Sequence, residues 1–145
     1  MQPEQKKILM GYFFEESNEL VSILEKGIAN LPESLQDSQR LQELFCSAHS
    51  LKGGAAFLQI KSVGKMGFIL EKCLGKLKDT PVEVDTKLQG LFIQALEFLK
   101  LLIKEMQSYD ELPEEKMAEI FVQSQSTFEE LIFYVDILIL EKKLS

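Results

Sequence analysis

The sequence has no tryptophan, 2 cysteines, 4 prolines and 8 glycines among 145 residues. Two cysteines, Cys46 and Cys73, are too few for a disulfide framework, so a reducing, cytoplasmic setting is expected. A membrane-spanning run is also missing. Such a run needs about 20 mostly apolar residues, whereas the longest apolar stretch, Leu131 to Leu140, is shorter and carries Asp136. The opening Met-Gln-Pro-Glu-Gln-Lys-Lys lacks the apolar stretch of a signal peptide. Positive charge is in deficit, with 16 Lys and Arg against 23 Asp and Glu, and the net charge of −7 repels a phosphate backbone. Neither nucleic acid nor membrane insertion is expected.

Apolar residues make up 46% and charged residues 27%, a composition that excludes disorder. At this length a single domain can bury roughly 68% of its chain's surface, enough for a proper core. The apolar pattern is helical throughout, with no useful stretch of two-residue alternation.

From about Pro3 to Leu31, the residues Leu9, Tyr12, Phe13, Leu20, Ile23, Leu24, Ile28 and Leu31 recur mostly at three- and four-residue steps, until Pro32 stops the pattern. A second helix is expected from Ser38 to Leu58, and a third from Ser62 to Lys78. The fourth starts near Asp85 as its cap and has the clearest stripe, from Leu88 to Met106. Pro113, followed by Glu114 and Glu115, suits the start of a last helix, although Ile132 to Leu140 is rich enough in β-branched and aromatic residues to read as a strand. Short links make neighbouring helices antiparallel. The expected fold is therefore an all-α, up-and-down four-helix bundle over residues 1–110, with an additional C-terminal helix, residues 111–145, packed on it.

The chain has one histidine. With each residue advancing about 100°, His49 falls at the edge of the second helix's core stripe, supported on one side and open to water on the other. Lys52 and Gly53 neighbour it on the helix surface. Gly53 and Gly54 each cost about 1 kcal/mol relative to Ala inside a helix, so something should compensate, and their bareness clears the surface beside the ring. On the third helix Glu71 also occupies an edge. If the two helices turn near Ile60, residues whose numbers add to about 120 stand level, as those of His49 and Glu71 do. The carboxylate can then hold one ring nitrogen and leave the other as a nucleophile. The plain alternative is an inert histidine at a helix edge.

The segment Ala48-His49-Ser50-Leu51-Lys52-Gly53-Gly54-Ala55, with a Glu on the next helix, resembles the signature of histidine phosphotransfer (HPt) domains. Its form is closest to the amino-terminal phosphotransfer domain of CheA-type chemotaxis kinases. The resemblance covers about residues 5 to 108 in helix order and spacing. It implies that His49 is phosphorylated and passes the group to an aspartate of a response-regulator receiver domain. Lys52 would lie near the phosphoryl oxygens, Glu71 would bond the ring, and Gly53 and Gly54 would give the receiver access. Chemotaxis-type members commonly carry a second histidine three residues before the glutamate, where this chain has Phe68.

No P-loop, nucleotide lid or metal-binding kinase motif is present, so the chain on its own is expected to carry a phosphoryl group without catalysing its transfer from ATP. By the resemblance, a histidine kinase catalytic domain is the donor, and Mg²⁺ comes with the kinase or the receiver, with no cofactor of the chain's own. Whether the sequence is a whole protein or the start of a larger kinase stays open, although Glu141 to Ser145 shows no obvious linker.

Lys61, Lys65, Lys72 and Lys76 share one side of the third helix within roughly 60°. A solvated face explains them, and steering of an acidic receiver is the functional alternative. Cys46 and Cys73 point in different directions, and one histidine with two divergent cysteines cannot make a metal site. The last helix, with Phe121, Phe128, Leu131, Val135 and Leu138, could pack on its own bundle, which gives a monomer, or pair two chains. The rival to the carrier is thus a helical adaptor that binds a partner through this helix, with His49 incidental.

Overall fold

In the computed structural model, which describes residues 1–145, helix α1 runs over Pro3–Ala29. Pro3 sits in its first turn, where a missing N–H leaves nothing unpaired, and Glu4 faces the positive helix end. The periodicity carries this helix to Leu31, but the chain turns at Asn30 and a short α2, Leu31–Gln36, follows. Pro32 therefore opens a helix as well as closing off the previous one. The Ser34 hydroxyl donates to the Gly27 carbonyl at 2.9 Å and ties α2 back to α1.

Helix α3, Ser38–Phe57, is capped by Asp37, whose carboxylate accepts the backbone N–H groups of Gln39 and Arg40 at 3.1 and 3.2 Å. Its other end closes with Gln59 in the left-handed region at φ 59°. There the Gln59 N–H donates to Ala56 at 3.1 Å and the Ile60 N–H to Ala55 at 2.8 Å, the paired bonds of a Schellman turn. This turn reverses the chain at once into α4, Lys61–Asp79, so α3 and α4 form an antiparallel hairpin that bends near Ile60 as expected.

Helix α5, Thr86–Gln107, is capped by Asp85, which accepts the Leu88 N–H at 2.8 Å. The last element, α6, is one continuous helix, Glu114–Leu144, and the structure contains no strand. The β-branched run within it stays helical because Leu131 and Val135 are fully buried, and packing outweighs local preference.

Helix α3 pairs along α4, α1 rests on α3 and α5, and α6 lies against both α4 and α5, which touch each other only lightly. One cluster of 32 buried apolar residues runs through all of them and includes Met117, Ile120, Phe128, Leu131 and Val135 of α6. The stretches on either side of residue 110 therefore share a core. Tyr134 donates its hydroxyl hydrogen to Asp85, the α5 cap, and Lys76 of α4 pairs with Asp136. No helix is long and apolar enough to cross a membrane.

Candidate functional site

His49 stands near the middle of α3 with its side chain 61% exposed, while Glu71, projecting from α4, is only 14% exposed. Their contact is direct: His49 Nδ1 lies 2.9 Å from Glu71 Oε1. Lys52, one turn after His49, places Nζ 2.7 Å from Glu71 Oε2. This is a charge contact off the hydrogen-bonding direction, so Oε2 takes no aligned donor. Burial pushes the Glu71 carboxyl upward, but Lys52 and His49 together outweigh it and hold the group below its ordinary value.

An ionised carboxylate can only accept, so His49 Nδ1 must carry the proton it donates. In the neutral ring Nε2 is then the nitrogen with the free lone pair, and no protein group bonds it. The pair thus fixes the ring's tautomer and orientation and presents a nucleophile to solvent.

The two helices come this close because of Gly67. A Cβ there would lie 3.1 Å from the Lys52 backbone nitrogen and 3.4 Å from the Ala48 carbonyl oxygen. Glu71, one turn further along α4, can therefore span to the ring. The sequence analysis does not single out Gly67, because its importance depends on which helix faces it.

The glycines after the histidine divide. Gly53 is exposed, with nothing within 4 Å of an added Cβ, so the surface above it is open. Gly54 faces inward, where a Cβ would meet the Phe13 ring of α1 at 3.2 Å, so its bareness admits α1 as well as any partner. Lys52 is held on Glu71, beside the Nδ1 edge of the ring. Its Nζ also sits 5.8 Å from the centre of the half-exposed Phe68 ring, a cation–π contact.

A shallow groove of about 150 Å³ lies between α1 and α3, lined by residues that include Leu9, Tyr12, Ser50, which follows His49 in the chain, Gly54 and Phe57. Tyr12, which the helical pattern places in the core stripe, is 66% exposed at this groove, and Phe57 is 67% exposed. Phe57 lies about two turns after His49 and about 80° around α3 from it, a spacing visible in the sequence once that side is known to be open.

The lysine side of α4 is only partly engaged by α6. Half-buried Lys76 is paired with Asp136 and Lys65, itself exposed, lies over the Phe121 ring at 5.7 Å, while Lys61 and Lys72 are also exposed. Cys46 is exposed and Cys73 buried, both free, and burial pushes the Cys73 thiol up to about 12.

The family model described as Hpt domain matches residues 8–113. Among curated proteins, the chain is similar to Chemotaxis protein CheA of Borreliella burgdorferi, 33% identical over 95 residues, which is 66% of this chain and 11% of that protein. It is also similar to the CheA proteins of Treponema pallidum, 27% identical over 66% of this chain and 12% of that protein, and of Salmonella typhimurium, 25% identical over 61% and 13%. The chain spans 11% to 13% of the length of these relatives.

Proposed function

The chain belongs to the Hpt domain family, the histidine phosphotransfer domains of two-component signalling, and on that footing we propose that His49 is its phosphorylated residue. The observation that carries this reading is the exposed ring held through Nδ1 at 2.9 Å by Glu71, with Nε2 free. His49 receives the group from a histidine kinase catalytic domain and gives it to a receiver aspartate.

In the first step the Nε2 lone pair attacks the γ-phosphorus of ATP held by the kinase, the bond from phosphorus to the bridging oxygen breaks, and ADP leaves. The Nδ1 proton stays, so the ring becomes cationic and Glu71 stabilises it through the hydrogen bond already in place. In the second step a receiver carboxylate oxygen attacks phosphorus, the N–P bond breaks, and its electrons return to Nε2. Lys52 keeps Glu71 ionised before transfer and offsets phosphoryl charge after it.

Glu71 is the carboxylate at the ring and is already taken up by His49 and Lys52, so Mg²⁺ for the transfer would belong to the partner's acidic pocket. Open Gly53 and the apolar rim of Tyr12 and Phe57 suit a receiver approaching over α3 and α1. Similarity to proteins named for chemotaxis supports placing the chain in a chemotaxis-like pathway.

The test is incubation of the chain with a histidine kinase and ATP, then with a receiver domain, read by intact mass. An acid-labile phosphoryl group that needs His49 and moves to the receiver is expected. A chain left unmodified by several kinases and by a small phosphoryl donor would refute the reading.

A further inference from the structure

Helix α6 has two apolar sides, and only one is used by the bundle. Its core side carries Phe128, Leu131 and Val135, all buried. On the opposite side Phe133, Ile137, Leu140 and Leu144 repeat at steps of four, three and four residues, and all lie within about 60° of one another. Phe133 is 65% exposed, Leu140 57% and Leu144 78%. Glu129 and Glu130 close the stripe at its N-terminal end.

We propose that this outer face of α6 pairs with the same face of a second copy of the chain, with the two helices antiparallel. The four-three-four spacing is that of a coiled-coil seam, in which alternate positions meet those of a partner helix. The helix is already formed and anchored by the bundle, so pairing need not fold it. An isologous contact of this kind closes on itself as a dimer.

The flanking charges choose the direction. In an antiparallel pair Phe133 meets Leu144 of the second copy and Ile137 meets Leu140, which sets Asp136 beside Lys143, twice by symmetry. A parallel pair would instead set Asp136 beside Glu141, again twice, and those repel. Asp136 already contacts Lys76, so Lys143 would join an existing charge pair.

Four side chains fall well short of the roughly 800 Å² per partner typical of a stable complex, so the dimer is weak, with Kd on the order of 100 µM. The expected monomer is then the form at low concentration. Since α6 packs on α4 and α5 while His49 stands on α3, pairing does not require burial of the ring. The proposal is independent of the phosphoryl reading.

Sedimentation equilibrium of the full chain between about 5 µM and 1 mM tests it. The average mass should climb from 16.6 kDa toward twice that value. Phe133→Glu and Leu140→Glu, both at exposed positions, should each weaken association about tenfold or more with unchanged helical circular dichroism. Lys143→Glu should weaken it about threefold, whereas a parallel pair would ignore that change. A wild-type chain that stays monomeric over the whole range overturns the proposal. So does a dimer indifferent to Phe133→Glu and Leu140→Glu, and a dimer indifferent to Lys143→Glu overturns the antiparallel register.

Discussion

Gly67 of α4 lies so close to Lys52 of α3 that a methyl group there would sit 3.1 Å from the Lys52 backbone nitrogen. Backbone inside a helix cannot move aside as a side chain can. The approach it permits sets the reach of Glu71 to His49.

Gly67→Ala is therefore expected to destabilise the fold by about 1 kcal/mol, since overpacking outweighs the gain in helix preference. It should also slow phosphorylation of His49 by parting the two helices. Urea unfolding and a kinase assay on the same preparation check both. Gain of stability together with full activity would show that α3 and α4 separate without consequence.

Gly53→Ala has the opposite expectation for stability. With open space around it, the methyl group should stabilise α3 by about 1 kcal/mol. If Gly53 keeps the surface clear for a receiver, transfer to the receiver should slow while phosphorylation by a small donor does not. Equal rates for both proteins would remove Gly53 from the docking surface.

Gln59 holds a left-handed conformation that glycine adopts without a Cβ clash. Gln59→Gly should raise stability by roughly 1 kcal/mol, visible as a higher urea midpoint at unchanged slope. A lower midpoint would mean that the Gln59 side chain has a stabilising role of its own.

Glu71 gives a pH signature. Its carboxyl is held below the ordinary value of 4.5, so its contribution to stability is fully present above that value. It is lost as pH falls through the lower folded value. The stability difference between wild type and Glu71→Gln should thus be constant near neutrality and shrink in acid. The same variant should phosphorylate at least about tenfold more slowly, because the amide does not enforce the ring tautomer. A stability difference that grows in acid would contradict the ion-pair arrangement.

Much of this was legible in the sequence, and the reasons differ by residue. The level pairing of His49 with Glu71 follows from helix geometry and a short turn, both local properties. Asp85 announces its own helix start. Asp37 could have been found by the same rule, as it stands just before a helical stripe. The break at Asn30 was hidden because apolar spacing continues across it to Leu31. Tyr12 reads as core since spacing reports which side of a helix is apolar, not whether another helix covers that part of it. The role of Gly67 and the contacts of Lys65 and Lys76 with α6 depend on distant segments meeting, which no local pattern encodes.

The most direct test of the central claim is to identify the phosphorylated atom. Proton–nitrogen correlation spectra of the ¹⁵N-labelled chain, recorded before and after phosphorylation, report on both ring nitrogens of its one histidine. The expected result is a proton resident on Nδ1 before the reaction and a phosphoryl group on Nε2 after it. Phosphorylation on Nδ1, or a phosphoryl group that leaves both ring nitrogens unchanged, would contradict the role given to the His49–Glu71 pair.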